Sequence, residues 1–151
     1  MEKNKEYYMK IALAQAKKAA AEDEVPVGAV VVKEGKILAK AHNLKEKTGM
    51  ATRHAEIVAI ERAAKKTGNW WLENCDIFVT LEPCAMCAGA MINSRIRKLY
   101  FGAWDPKYGC CGSIYDLPAD KRFNHNFETE GGVMQAECAA ELTQYFKRKR
   151  N

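Results

Sequence analysis

The stretch Asp76-Ile-Phe-Val-Thr-Leu-Glu-Pro-Cys-Ala-Met-Cys-Ala-Gly-Ala-Met-Ile92 decides how the chain is read. Its first part, 76–81, is rich in β-branched, aromatic and aliphatic residues and predicts a strand. Pro83 then opens a helix through about residue 92, because proline at the first helical position has no amide bond to lose. A strand feeding a helix is half of a crossover unit, and the alternation continues outward. Downstream, 97–101 reads as a strand ending at Gly102, and 103–126 as a long glycine-bearing loop, a kind that often carries function. A short strand at 127–130 precedes Gly131-Gly132. The closing helix, about 134–148, places Cys138, Leu142, Tyr145 and Phe146 on one face. Upstream, 54–66 predicts a helix stopped at Thr67-Gly68, and 27–32 with 36–41 a hairpin turning at Gly35. Residues 5–21 predict an amphipathic helix that buries Tyr8, Ala12, Ala16 and Ala19. The order implies an α/β domain of three layers, α/β/α, around a mixed five-stranded sheet, with an antiparallel hairpin leading into crossover units.

The composition agrees with one folded domain over 1–151: 48% hydrophobic and 28% charged residues exclude a disordered or collagen-like chain. Uncharged apolar runs at 25–32 and 84–92 fall short of the roughly 18 residues that cross a bilayer. The N-terminal residues carry charge where a secretion signal needs an apolar run, so a cytoplasmic protein is expected. In that setting six cysteines are expected as thiols, not as a disulfide framework. The net charge of +5 is unevenly placed, since Lys147, Arg148, Lys149 and Arg150 fall in the last five residues. The body is near neutral and the end at 147–151 is basic, which suits either a polyanion contact at one edge or a solvated terminus.

Two segments carry chemistry: His54-Ala55-Glu56 and Pro83-Cys84-Ala85-Met86-Cys87. Alone, a Cys-x-x-Cys is a redox pair or two small buried residues, and a histidine at a helix start is a cap. Each segment, however, begins a predicted helix at the same edge of the sheet. Cys84 and Cys87, three apart, project from one helix face with the bite of a tetrahedral zinc site. His54 can supply a third donor, leaving the fourth position to water, the mark of a catalytic zinc as opposed to a closed structural one. Glu56 then sits beside that water as a proton shuttle; by itself it would read as a first-turn acid favoured by the helix dipole. Cys75, Cys110, Cys111 and Cys138 are expected to be structural. Trp70-Trp71 should pack at the end of the second helix, and Arg53 reads equally as a phosphate contact or a surface cation.

The H-x-E…P-C-x-x-C arrangement resembles the cytidine-deaminase-like superfamily. Within it the chain is similar, over nearly its whole length, to the bacterial tRNA-specific adenosine deaminases. Further support lies in Glu24-Val-Pro-Val-Gly-Ala-Val30, Val79-Thr-Leu-Glu-Pro-Cys-Ala-Met-Cys-Ala-Gly-Ala-Met91, Ser94-Arg-Ile96, Phe101-Gly-Ala103, Gly112-Ser113 and Glu137-Cys-Ala-Ala140. The resemblance implies a cytidine-deaminase-like fold with one zinc per subunit on His54, Cys84 and Cys87, and Glu56 as the catalytic proton shuttle. It implies that Asn43 hydrogen-bonds the flipped base, that Val27 and Ala55 wall its pocket, and that Asp105 lies in the loop holding neighbouring nucleotides. Phe146, Lys149 and Arg150 would meet a tRNA anticodon stem-loop, and the subunits would form a homodimer. The implied reaction is hydrolytic deamination of adenosine to inosine at the wobble position. Two departures flank the entrance: Met50-Ala51-Thr52-Arg53 replaces the family's Asp-Pro-Thr-Ala, and Tyr108 and Cys110 stand where a threonine and a small residue are usual. They leave room for a deaminase of a free base or nucleoside, such as guanine or cytosine. A third reading, a non-catalytic zinc or thiol module, requires a fourth protein ligand or a Cys84–Cys87 disulfide.

Overall fold

The computed structural model describes residues 3–150; Met1, Glu2 and Asn151, the extremities of the expected 1–151 domain and of its basic end, lie outside the described residues. In chain order the elements are α1 (Lys5–Ala21), β1 (Gly28–Lys33), β2 (Lys36–His42), α2 (Lys45–Thr48), α3 (Ala55–Thr67), β3 (Cys75–Leu81), α4 (Ala85–Asn93), β4 (Lys98–Ala103), a 3-10 turn (Leu117–Ala119), β5 (Glu128–Glu130) and α5 (Gln135–Arg150). Glu34 and Gly35, both with positive φ (50° and 79°), make the two-residue turn of the β1–β2 hairpin, a backbone that follows the twist of the strands.

Among the described residues the sheet has five strands in the order β2-β1-β3-β4-β5. β1 pairs antiparallel with β2 and β3, whereas β3, β4 and β5 run parallel. The sheet is mixed because only the hairpin can reverse direction tightly; each later strand returns through a crossover. Alternate side chains feed two cores. Val31, Ile77, Val79, Leu99 and Phe101 pack under α3 and α4 with Val58, Ala59 and Met91. Val30, Val32 and Phe78 pack under α1 and α5 with Met9, Ala12, Ala16 and Cys138. The expected three layers are therefore present, and α1 buries Tyr8, Ala12, Ala16 and Ala19 as its spacing implies.

Several local expectations are corrected. Pro83 stands outside its helix: Cys84 is the N-cap with extended backbone (ψ 178°), and α4 starts at Ala85. β4 runs through Gly102 to Ala103, because the missing side chain at Gly102 leaves space that Cys138 fills. Phe146 is 45% exposed while Tyr145 beside it is buried, so the apolar face of α5 turns away before the helix ends. Trp70 and Trp71 do lie past α3 but are exposed, and they stack on one another at 6.1 Å instead of packing on the helix. The short helix α2 went unread because one turn carries no periodicity. Tertiary bonds hold it: the buried Glu24 carboxyl accepts from the Glu46 and Lys47 amides at 2.9 and 2.7 Å. Among the described residues, no helix is long and apolar enough to cross a membrane.

Candidate metal centre and active site

α3 and α4 both begin at one end of the sheet, each led by a cap residue with a reactive side chain. His54 caps α3 and Cys84 caps α4, and neither side chain makes a capping hydrogen bond. Their carbonyls accept the first helical bonds, from the Val58 and Ala88 amides at 3.1 and 2.9 Å. An extended cap residue projects its side chain out of the helix, so imidazole and thiol turn toward each other. His54 Nδ1 lies 3.7 Å from Cys84 Sγ and 3.5 Å from Cys87 Sγ, the latter one turn into α4. The donor atoms of the three residues fall within 4.8 Å of one another; this is the His, Cys, Asp or Glu grouping of that closeness among the described residues.

The electrostatics match the geometry. Hydrogen bonding from Cys87, then from His54, brings the Cys84 thiol down to about 4. The Cys87 thiol is driven far upward by the hydrogen bond it gives Cys84, and by burial. His54 is raised by its bond to Cys84. One imidazole nitrogen and two sulfurs form the soft, borderline donor set that suits a transition-metal ion. All six cysteines are free thiols, and Cys75, Cys110, Cys111 and Cys138 are buried. Cys84 and Cys87 form no disulfide.

Glu56 lies in the first turn of α3, almost wholly buried, and burial pushes its carboxyl up to about 7. It lines a cavity of about 420 Å³ together with His54 and Cys84, within the range of small-ligand sites. Val27, Asn43, Ala55 and Asp105 line the same cavity, so those expected substrate contacts converge with the trio. Asn43 is held in place: its Oδ1 accepts from the Lys45 amide at 3.1 Å, and its Nδ2 donates to the Val25 carbonyl at 3.4 Å. Tyr108, 63% exposed, stands at the mouth.

Phe146, Lys149 and Arg150 are not in this cavity. They lie on α5, where Lys149 pairs with Asp23 at 2.9 Å and lines a separate groove with Tyr145 and Glu46. Arg53 pairs with Glu61 on the surface of α3. Reading the sequence missed Lys45, Leu81 and Glu82 as cavity residues. Glu82 alone left a signal, a charged residue between an apolar strand and Pro83.

Two helix mouths that present one imidazole, two thiols and a buried carboxyl over a mixed five-stranded sheet define the cytidine-deaminase-like class. A solved structure described as concerning A-to-I editing by tRNA:A34 deaminases at the wobble position of transfer RNA superposes with TM-score 0.87 and 39% identity, covering 90% of this chain and 99% of that one. The chain belongs to the MafB19-like deaminase family, which it matches over residues 3–150. It is 48% identical over 145 residues to a tRNA-specific adenosine deaminase of Bacillus subtilis, covering 96% of this chain and 90% of that protein. A guanine deaminase from Nitrosomonas europaea shares the fold (TM-score 0.82, 93% and 83% coverage) at 22% identity.

Proposed function

We propose that this protein is a zinc-dependent hydrolase that deaminates adenosine to inosine at the wobble position of tRNA. The observation that carries the reading is the buried Glu56 carboxyl lining one cavity with Asn43 and with His54 and Cys84 of the His54–Cys84–Cys87 trio. His54, Cys84 and Cys87 would hold the zinc, which supplies Lewis acidity that makes water a nucleophile near neutral pH. Glu56 takes the proton given up as water adds to C6 and passes it to the ring nitrogen N1. It then takes the proton of the new C6 hydroxyl and delivers it to the departing amino group, so that adenosine and water become inosine and ammonia. Asn43, fixed by its two backbone bonds, hydrogen-bonds the base edge, and Val27 and Ala55 exclude water from its faces.

The similarity to a tRNA-specific adenosine deaminase, 48% identity over 96% of this chain and 90% of that protein, supports RNA as substrate over a free base. A single-stranded anticodon loop offers its base at small unstacking cost. The exposed Phe146 and the basic residues of α5, Lys149 and Arg150 among them, would rest on the stem through salt-sensitive phosphate contacts. Lys149 can leave Asp23 for a phosphate, because an exposed ion pair holds weakly. Trp104, Ile114 and Tyr115, exposed on the loop beside the site, supply apolar surface for a second subunit in a cytoplasmic homodimer.

The test is incubation of the zinc-loaded protein with tRNA and with free guanine, cytosine and adenosine, followed by mass spectrometry. Inosine in the anticodon loop is the expected product; turnover of guanine without RNA deamination would replace this reading with the free-base one. Glu56→Ala should keep its metal and lose ammonia release by at least about a hundredfold, the usual share of a general acid–base group. Full activity of that variant would remove the mechanism.

A further inference from the structure

Glu82 is a carboxyl with 2% exposure that takes no part in the proton transfers above, yet it lines the cavity two residues before Cys84. Its two oxygens are fully used. Oε1 accepts from the Asp105 amide at 3.0 Å and from the Ser113 hydroxyl. Oε2 accepts from the amides of Cys111 and Ser113 at 3.1 and 2.9 Å. Three backbone amides from one loop therefore close around a single side chain anchored at the end of β3. A further bond, from the Cys110 amide to the Pro83 carbonyl at 2.9 Å, ties the same loop to the residue before the cap of α4. Gly109 must lack a side chain, because a Cβ there would overlap the Glu82 carboxyl group. The loop so held presents Asp105 and Tyr108 to the cavity.

We infer that Glu82 is a positioning residue for substrate binding: its buried carboxyl folds the loop 105–113 into the wall that receives the nucleotides beside the reacting base. The inference rests on the RNA deaminase reading for its substrate. The loop has little regular structure of its own, and a buried polar hub gives it one conformation at no cost in unsatisfied groups. The hub is separate from the trio, so it acts on how substrate is held and leaves proton transfer by Glu56 alone.

Glu82→Gln tests this with minimal change of shape. Its amide settles with the NH₂ where Oε1 lies, since at Oε2 it would face two amides, whereas at Oε1 the Ser113 hydroxyl can turn to accept. The Asp105 amide is the one donor left without a partner. The expected result on a tRNA anticodon stem-loop is a rise in KM of about tenfold, typical of one buried hydrogen-bond partner lost, with kcat within about threefold and full metal content. Gly109→Ala and Ser113→Ala, which act on the hub from the loop side, should move KM in the same sense. Hydrogen exchange of the Asp105 amide, expected to accelerate in Glu82→Gln, reads the hub without any substrate. Unchanged KM and unchanged exchange would overturn the inference. So would a fall in kcat with loss of metal, which would make Glu82 a support of Cys84. A wild-type protein inactive on RNA would instead count against the proposed function and leave the exchange experiment to decide this one.

Discussion

At Gly102 the chain shows how one missing side chain sets a layer spacing. β4 passes beneath α5 there, and a Cβ would meet the Cys138 side chain and the Thr80 carbonyl, which are not both free to move. Gly102→Ala should therefore destabilise the protein by about 2 kcal/mol through overpacking, read as a fall in melting temperature; an unchanged melting temperature would show that α5 can shift at no cost. The same scale explains the site. His54 and Cys84 are poor caps by residue type, and their helices begin there regardless, because their backbones accept the first helical bonds. That frees both side chains for each other. Cys87 joins them only because it lies three positions on, at the spacing that brings helical side chains onto one face.

At the scale of the element, the short helix α2 depends on a residue 22 and 23 positions before the amides it holds. Glu24, with no exposure, accepts from two amides of α2, and Asn43 accepts from a third. Removing the carboxyl leaves two donors without partners beside the cavity. Glu24→Ala should lower unfolding stability by about 3 kcal/mol, measurable as a shift of the urea midpoint at constant slope. A midpoint within error of wild type would mean that α2 forms on its own. Because Lys45 begins this helix and lines the cavity, the same variant should also loosen the wall behind Asn43. The loop 105–113 follows the same rule: an irregular segment takes a fixed shape by wrapping a buried carboxylate.

Across the whole molecule, α5 is fastened to the segment that leads from α1 into the base cavity. Tyr145 donates its hydroxyl proton to the Asp23 carbonyl at 3.2 Å, and Lys149 pairs with the Asp23 carboxylate. The Lys149 hydrogen bond holds the Asp23 carboxyl below its usual range. A carboxyl lowered on folding adds stability above its ordinary pKa, and that stability is lost as pH falls through the lowered value. Wild type should therefore be slightly more stable than Asp23→Asn at pH 7, with the advantage fading as pH drops below about 4 and shrinking in high salt; thermal unfolding across pH checks it, and an advantage that persists in acid would show that the pair contributes nothing. The sequence by itself determined the alternation of strands and helices apart from α2 and the two-sided core, because periodicity is a local property, and its His-x-Glu and Pro-Cys-x-x-Cys motifs marked His54, Glu56, Cys84 and Cys87 as candidates. Only the tertiary structure decided that Pro83 lies outside its helix, that Phe146 and the tryptophans face solvent, and that Lys149 is tied to Asp23. It alone revealed Glu24 and Glu82 as the hubs of two irregular segments. Those facts depend on partners twenty to more than a hundred residues away, and a hydrogen bond between distant residues leaves no period in the chain that makes it.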